Sequence, residues 1–227
     1  MRRHTDHTGP PGGKRGRKRR ERVDSIAKSA LGLFLERGIE SVTIDEICKA
    51  AGLAKGSFYR YFSSKEALVQ ALVALPAQAL SQAFNECEAR IREADSWVAL
   101  QSAYQALAFS LLSIALAHTD VLRLYLQERA APPVGARAPL GALSNAIEEG
   151  ALRLTQIAVE RGLIEVTHPR LSSLIVIGAV ERLAHAALTG RINVTPFEMI
   201  STLIRIILEG IRPTPVLSSS RRPTTSP

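Results

Sequence analysis

The stretch AGLAKGSFYRYFSSKEAL, residues 51–68, decides the fold prediction. It combines a glycine-bearing turn, a short aromatic and basic run, and a Ser-x-x-Glu helix start. Just upstream, Thr43 and Glu46 form a capping box before a predicted helix that ends near Gly52. Residues 54–62 form the next predicted helix. Two helices joined by a short turn with glycine are the helix-turn-helix arrangement, whose second helix lies in the DNA major groove.

The residue types of this helix-turn-helix, residues 43–62, suit contact with DNA. Lysine and serine reach phosphates or bases, tyrosine offers a hydroxyl donor on a rigid ring, and glycine lets the helix approach the DNA backbone closely. Lys65, at the start of the following helix, adds a cation to free amides that form an anion site by geometry. The alternative is a plain helical hairpin inside a bundle, which leaves the exposed Lys-Gly-Ser and its tyrosines without a role. The predicted DNA contacts are Thr43, Lys55, Gly56, Ser57, Tyr59, Tyr61 and Lys65.

Residues 20–80 resemble the DNA-binding domain of the tetracycline-repressor (TetR) family. The resemblance rests on Thr-Ile-x-x-Ile from Thr43, Ala-Gly-Leu, Lys-Gly-Ser-Phe-Tyr and Ser-Lys-Glu-Ala-Leu in combination. It implies a transcriptional regulator, usually a repressor, with a three-helix DNA-binding domain, and it assigns DNA contacts to the residues above other than Gly56. The chain departs from the family at Ala54, where Ser or Thr often caps the recognition helix, and at Cys48, where alanine is usual. Ala54 caps poorly; Cys48 is interpreted as a small buried filler, with a redox sensor as the alternative.

Positive charge is concentrated at the N-terminus. Residues 1–22 hold nine Arg or Lys against two acidic residues, a net charge of +7, whereas residues 23–75 are neutral and the remainder carries +1. Residues 1–19, rich in Gly, Pro, Arg and Lys, are predicted to be a disordered basic arm, and residues 213–227 a disordered tail. A basic arm beside a DNA-binding element suits a polyanion; the alternative is a solubilising tail.

Nearly all of the chain between these ends is predicted to be helical. The fold class is therefore all-α, with about nine helices. A helix-turn-helix domain of three helices would occupy residues 20–80, and a bundle for ligand binding and dimerisation residues 81–212. No apolar stretch reaches the ~20 residues of a membrane span, no export signal is visible, and two cysteines fit a reducing compartment. A cytoplasmic protein with no membrane partner is expected.

The last two predicted helices carry more apolar residues than one small domain must bury. In the family that the chain resembles, these helices pair with their copies in a second subunit, so a homodimer is expected; the alternative is a core within one chain. The predicted dimer residues are Leu171, Leu174, Ile175 and Gly178 on one helix and Ile200, Leu203, Ile204, Ile207 and Leu208 on the other.

An apolar stripe at helical spacing runs from Trp97 to Ile114 and is broken by two serines. Such a stripe forms core more often than pocket, but regulators of the resembled family usually hold a small-molecule effector between their middle helices. His118 has no cysteine or second histidine at metal-binding spacing, so neither a metal site nor a cofactor is predicted. The predicted ligand residues are Trp97, Tyr104, Ser110, Ser113, His118 and Tyr125.

These features predict a sequence-specific regulator of transcription, a repressor released from double-stranded operator DNA by a small molecule. One alternative is a non-specific architectural DNA-binding protein, which would not need a large neutral second domain. The other is a small helical enzyme. Ser25 and Lys28 match Ser-x-x-Lys without its partner motifs, and no Gly-x-Ser-x-Gly, His-Glu-x-x-His or Gly-x-Gly-x-x-Gly occurs. The sequence therefore favours a regulator that is not an enzyme.

Overall fold

The computed structural model describes residues 14–211, and their side chains from residue 16 to residue 210. The described part of the chain forms nine α-helices and one short 3₁₀ helix, without strands, which confirms the all-α fold class. The remainder of the two predicted disordered ends, residues 1–13 and 212–227, lies outside the described residues. The helices are α1 (Lys14–Arg37), α2 (Ile44–Ala50), α3 (Lys55–Phe58), α4 (Lys65–Glu93), α5 (Trp97–Ala117), α6 (Thr119–Glu128), the 3₁₀ helix Gly135–Arg137, α7 (Ala138–Glu160), α8 (Pro169–Leu188) and α9 (Pro196–Ile211).

Helices α1–α3, here called the head, pack around one apolar cluster. Ile26, Ala30 and Phe34 follow one another at four-residue spacing along α1 and are all buried, so one face of the helix points inward. Ile47 of α2 and Phe58 of α3 meet this face and are fully buried as well. The head is thus a three-helix unit whose shortest helix is held by a single central aromatic ring.

Helix α1 begins at Lys14, so the prediction that residues 14–19 are disordered is wrong. The run is dominated by lysine, arginine and glutamate, which are good helix formers. The repulsion between its positive charges is partly offset by an ion pair one helical turn apart, in which Arg17 Nε lies 3.4 Å from Glu21 Oε1. The positive charges of this part of the predicted arm are therefore carried on a helix that continues into the head.

The domain boundary predicted after residue 80 does not appear as a break. Helix α4 runs through it, and Pro76, predicted to interrupt that helix or begin the next, lies inside it. Helices α4–α9, here called the body, also contribute to the head's cluster. The body residues buried in that cluster beyond α4 are Leu124, Tyr125, Ala136, Leu140 and Leu143. Head and body share one continuous core, and a second cluster around Ile91 and Leu100 fills the end of the body near the α4–α5 connection.

Three helices of the described chain are long and apolar enough to cross a membrane, judged by length and composition only: α4, α5 and α8. The prediction that no stretch reaches this length is therefore wrong. The prediction was based on uninterrupted runs of apolar residues. The mean hydropathy of these helices remains high although serines and a few charged residues interrupt the runs. In the fold, α4 packs against α5 and α7, and α8 packs against α6 and α7.

Candidate DNA-binding surface and ligand cavity

Helices α2 and α3 form the predicted helix-turn-helix. Gly52 has a φ of 65°, and the N–H of Leu53 donates to the carbonyl of Cys48 at 2.8 Å, which ends α2 in a glycine-dependent turn. Helix α3 is shorter than predicted, because it ends at Phe58 and residues 59–61 form turns. Its N-cap, Ala54, supplies no side-chain hydrogen bond, in agreement with the weak cap expected of alanine.

Buried aromatic residues orient α3 and leave its other side exposed. The Phe58 and Phe62 rings lie 5.7 Å apart between centroids, and both are buried in the head's cluster. Lys55, Gly56 and Tyr59 lie on the exposed side. These three predicted DNA contacts therefore share one accessible surface, whereas Ser57 and Tyr61 are half-buried at its edges.

Thr43 is the N-cap of α2 and is bound reciprocally to Glu46. The backbone N–H and the hydroxyl of Thr43 each donate to Glu46 Oε2 at 2.8 Å, and Arg37 donates to Glu46 Oε1 at 2.8 Å. The Thr43 backbone bond first, and then the Arg37 bond, lower the pKa of the Glu46 carboxyl to about 2. Since the hydroxyl hydrogen of Thr43 is committed to Glu46, Thr43 can donate to a phosphate only by giving up this bond.

The cations on the recognition surface are held in place by neighbours. Lys55 Nζ lies 2.9 Å from Asp45 Oδ2, and this hydrogen bond raises the pKa of Lys55. Arg60 donates to the hydroxyl of Ser57 at 3.0 Å, and its guanidinium lies 5.7 Å from the centre of the Tyr61 ring. Arg60 was not among the predicted contacts, although its place in the run of residues 55–61 was a signal for it.

The structure gives Lys65 a different role from the predicted DNA contact. Its ammonium donates to the carbonyls of Ile39 at 2.8 Å, Val42 at 3.1 Å and Glu40 at 3.4 Å. An ammonium has three N–H donors, so all of them are used by the loop between α1 and α2. Lys65 therefore joins the loop between α1 and α2 to the start of α4. The phosphate contact stays a prediction, and it would have to compete with these bonds.

A cavity of about 300 Å³ lies in the body between helices α4 to α9. Apolar side chains from all six helices make up nearly all of its wall. Of the predicted ligand residues, Tyr104, His118 and Tyr125 line it, whereas Trp97, Ser110 and Ser113 do not. Ser113 lies on the exposed side of α5, and Trp97 packs against the second core cluster instead. The described residues contain no group of three or more His, Cys, Asp or Glu suited to a metal ion.

The polar end of the cavity is a cluster that sequence reasoning missed. Glu181 of α8 lines the cavity with a side chain that is 12% exposed, and it accepts a hydrogen bond from the Tyr125 hydroxyl at 2.7 Å. Arg129 NH1 lies 2.6 Å from its other oxygen, and Ser144 lies 3.0 Å from the Tyr125 oxygen. Burial is the first cause that raises the pKa of Tyr125. No local motif marks Glu181, because its partners are more than fifty residues away in the chain.

The last turn of α6 connects the body to the head. Glu128, 6% exposed, accepts from the Ile39 N–H at 3.1 Å and from Arg137 Nε at 2.7 Å. Its neighbour Gln127 donates to the carbonyl of Phe34 at 3.1 Å. These bonds join α6 to both sides of the bend that ends α1.

Comparison with known proteins identifies the family of the N-terminal domain. The family model described as bacterial regulatory proteins, tetR family, matches residues 26–72, which contain the helix-turn-helix. Residues 26–72 therefore form a DNA-binding domain of the tetR family. This confirms the resemblance found in the sequence, and the match lies in the head and the first part of α4.

Curated relatives match about half of this chain or less. The chain is 32% identical over 80 residues to the uncharacterized HTH-type transcriptional regulator YvdT of Bacillus subtilis, covering 35% of this chain and 40% of YvdT. It is 34% identical over 100 residues to the HTH-type transcriptional regulator TcmR of Streptomyces glaucescens, covering 37% and 44%. It is 33% identical over 121 residues to the HTH-type transcriptional repressor KstR2 of Rhodococcus jostii, and this match covers 52% of this chain and 56% of KstR2. These matches span about half of each relative or less.

Solved structures of bacterial regulators match most of the fold. The fatty acid degradation regulator FadR of Bacillus halodurans has a TM-score of 0.63 at 17% identity, covering 83% of this chain and 95% of that one. FadR of Bacillus subtilis, solved in complex with stearoyl-CoA, has a TM-score of 0.62 at 16% identity, covering 83% and 99%. The ketosteroid regulator KstR2 of Mycobacterium tuberculosis has a TM-score of 0.62 at 18% identity, covering 85% and 96%. At such identities the likeness shows the fold.

The predicted dimer residues divide between two environments. On α8, the apolar side chains of Leu171, Leu174 and Ile175 are exposed, as is Gly178. On α9, Ile200 and Leu208 are buried, and Leu203, Ile204, Ile207 and Leu208 line the cavity. This apolar face of α9 is therefore directed into its own body, and its part in a dimer stays a prediction. Ile206 is the large apolar residue that α9 exposes near its C-terminal end.

Proposed function

We propose that the protein is a sequence-specific DNA-binding regulator of transcription, a homodimeric cytoplasmic repressor released from its operator by a small molecule in the cavity. The observation that carries the proposal is the pairing of a TetR-family helix-turn-helix, with Lys55, Gly56 and Tyr59 on one exposed surface, with a body that encloses an apolar cavity. Pockets of this kind typically bind small molecules through apolar walls and a few polar groups.

On DNA, the exposed side of α3 enters the major groove. Tyr59 reads base edges together with Ser57, while Lys55 and Arg60 bind phosphates, because cations fix register and hydrogen bonds to bases carry sequence information. Gly56 permits close approach of the helix to the DNA backbone. The basic N-terminal part of α1 adds positive charge for neighbouring phosphates.

Two heads act together on a near-palindromic operator. The exposed face of α8, with Leu171, Leu174 and Ile175, is the surface that a second copy covers. A two-fold dimer requires half-sites whose centres lie about 34–36 Å apart or a multiple of it. Any change in the angle between the two bodies therefore moves the heads out of register with the DNA.

Helix α6 links the cavity to the heads. One side of it, including Val121, Leu122 and Tyr125, lines the cavity, while Gln127 and Glu128 in its last turn hold the head. An occupant that displaces Tyr125 moves the same helix end that is bonded to the backbone of the head. The effector and operator DNA then oppose each other, typically by 1–3 kcal/mol.

The proposal is tested by selection of bound DNA from a random pool, followed by sizing of the complex. We expect an enriched near-palindromic site bound by two chains. In the Tyr59→Ala variant, the difference in affinity between this site and random DNA should be smaller. Binding of equal strength to all sequences would support the architectural alternative. An enriched single half-site bound by one chain would contradict the dimeric regulator.

A further inference from the structure

We infer that the cavity takes an uncharged, largely apolar molecule that carries a hydroxyl group, and that it excludes carboxylates and ammonium groups. The inference rests on the proposed function, in which this cavity holds the effector. It is carried by the position of an apolar cavity of about 300 Å³ against the internally neutralised cluster of Tyr125, Glu181 and Arg129.

The cavity wall offers an anion no counter-ion. Among the described residues that line it there is neither lysine nor arginine, and His118 is the one lining side chain that can become a cation. Arg129 is the nearest guanidinium to the cluster's carboxylate, and it is already paired with Glu181 at 2.6 Å. A buried ionised carboxylate without a partner is strongly disfavoured, and Glu181 would repel it further. Fatty acids and other anions are therefore poor occupants.

The wall does not favour a cation either. The negative charge of Glu181 is balanced by Arg129, and the Tyr125 hydroxyl donates to the same carboxylate. An ammonium ion would leave water to meet a pair whose net charge is zero. Its desolvation would not be compensated by an unpaired negative charge.

The hydrogen-bonding groups that remain match a hydroxyl. The single Tyr125 hydrogen is given to Glu181, so Ser144 donates to the Tyr125 oxygen, and the carboxylate oxygens keep spare lone pairs. A ligand hydroxyl can donate to these oxygens without carrying charge. Tyr104 lines the cavity and its hydroxyl has no hydrogen-bond partner among the described residues, so it can donate to a second oxygen of the ligand.

The test compares three probes with the same alkyl chain and different head groups: 1-dodecanol below its solubility limit, and dodecanoate and dodecylammonium below their critical micelle concentrations. Titrations use the full chain at about pH 8, above the range in which histidine ordinarily carries charge. The protein has one tryptophan, Trp97, which packs against the same core cluster as Tyr104 and reports binding by fluorescence. We expect dodecanol to bind at least about tenfold more tightly than either ion. Tighter or equal binding of an ion, or no binding of any probe, would overturn the inference.

Charge variants sharpen the test. Glu181→Gln leaves Arg129 unpaired, so the affinity for dodecanoate should rise relative to dodecanol by roughly tenfold. Arg129→Gln leaves the carboxylate unpaired and should raise the relative affinity for dodecylammonium. Glu93→Gln, at an exposed site at the end of α4, is the control and should leave the order of the probes unchanged. If neither Glu181→Gln nor Arg129→Gln changes the ratios of the probe affinities, the proposed preference of the cavity for an uncharged ligand is overturned. Two variants are used so that the test remains decisive if one of them folds poorly.

The two proposals fail in distinguishable ways. Selective binding of operator DNA by the same preparation, measured without any probe, tests the regulator by itself. If operator binding is found and the order of head groups is wrong, only the present inference fails. If probe binding is as expected and no DNA is selected, the cavity chemistry stands and the regulatory function fails.

Discussion

Gly56 lies exposed on α3, and a Cβ atom added there would meet no other atom within 4 Å. The fold therefore does not require this glycine, and an alanine would raise the free energy of unfolding by up to about 1 kcal/mol through its better helix propensity. We expect Gly56→Ala to weaken operator binding by roughly tenfold, about 1.4 kcal/mol, because the methyl group stands between helix and DNA. Electrophoretic mobility shift and urea unfolding measure the two effects.

The matched control is Gly32→Ala on α1, another exposed helical glycine with no atom within 4 Å of the added Cβ. It should gain similar stability and bind DNA as the parent does. Equal DNA affinity in both variants would show that α3 does not approach the backbone closely at Gly56.

Lys55 and Lys65 should respond differently to removal of their charge. Lys55→Ala removes an exposed cation, so unfolding should be nearly unchanged and the slope of log affinity against log salt should fall by about one unit. Lys65→Met removes three bonds to backbone carbonyls, so it should lower the free energy of unfolding by about 1.5–3 kcal/mol. If Lys65→Met keeps full stability and loses one unit of salt slope, the predicted contact of Lys65 with DNA is supported instead.

At the scale of single elements, the start of α2 gives a stability that depends on pH. The pKa of Glu46 is about 2 in the folded protein, first because of the Thr43 backbone N–H and then because of Arg37, and it is about 4.3 in an unfolded chain. Since the pKa of Glu46 is lower in the folded protein than in the unfolded chain, the ionised carboxylate stabilises the fold. This contribution to the free energy of unfolding is fully present above about pH 4.5 and is lost as pH falls toward 2. We expect Glu46→Gln to show a shallower decline in the free energy of unfolding across this window.

Helix α9 provides the comparison, because Glu198 occupies the same kind of capping box at Thr195. The Thr195 backbone N–H lowers the pKa of Glu198, and no arginine contributes to that shift. Glu198→Gln should therefore flatten the acid decline less than Glu46→Gln does. Acid unfolding curves that run parallel for all three proteins would contradict the role given to Arg37.

The end of α6 should affect the coupling between ligand binding and operator binding more than it affects ligand affinity itself. Gln127→Ala removes the bond to the Phe34 carbonyl and should lower stability by about 1 kcal/mol. Dodecanol affinity without DNA should stay at the parental value, since Gln127 does not line the cavity. The factor by which dodecanol lowers operator affinity should shrink by an amount worth about 0.5–2 kcal/mol. Gln156→Ala, an exposed change on α7, is the control; an unchanged coupling factor in Gln127→Ala would place the link elsewhere.

For the whole molecule, the exposed face of α8 predicts the assembly. Ile175, which is 62% exposed, lies in the middle of this face, so Ile175→Asp should convert the dimer to a monomer and remove high-affinity operator binding. Light scattering measures the mass, and circular dichroism checks that the helices remain. Val134→Asp replaces an equally exposed apolar residue outside α8 and should stay dimeric. A dimeric Ile175→Asp protein would show that another surface joins the subunits.

Local signals in the sequence were sufficient to predict the helices of the head. They could not predict contacts between residues that lie far apart in the chain. The Thr43 capping box and Gly52 act within a few residues, so the start and the end of α2 could be predicted. The apolar stripe of α9 was visible, but its periodicity does not tell whether the partner is the same chain or a second one. Lys65 and Glu181 have partners far along the chain, and no spacing rule reveals them.

The shared core of head and body has a consequence for engineering new sensors. Leu124, Tyr125, Leu140 and Leu143 complete the interior of the head, so cutting the chain near residue 80 would open voids there. Each lost large side chain costs roughly 2–5 kcal/mol. A chimaera that grafts this head onto a foreign body must therefore reproduce those four side chains. Tyr125 and Leu143 belong to both this shared core and the cavity wall, so substitutions at the other wall residues are the more promising route by which laboratory evolution can redirect the protein to a different inducer.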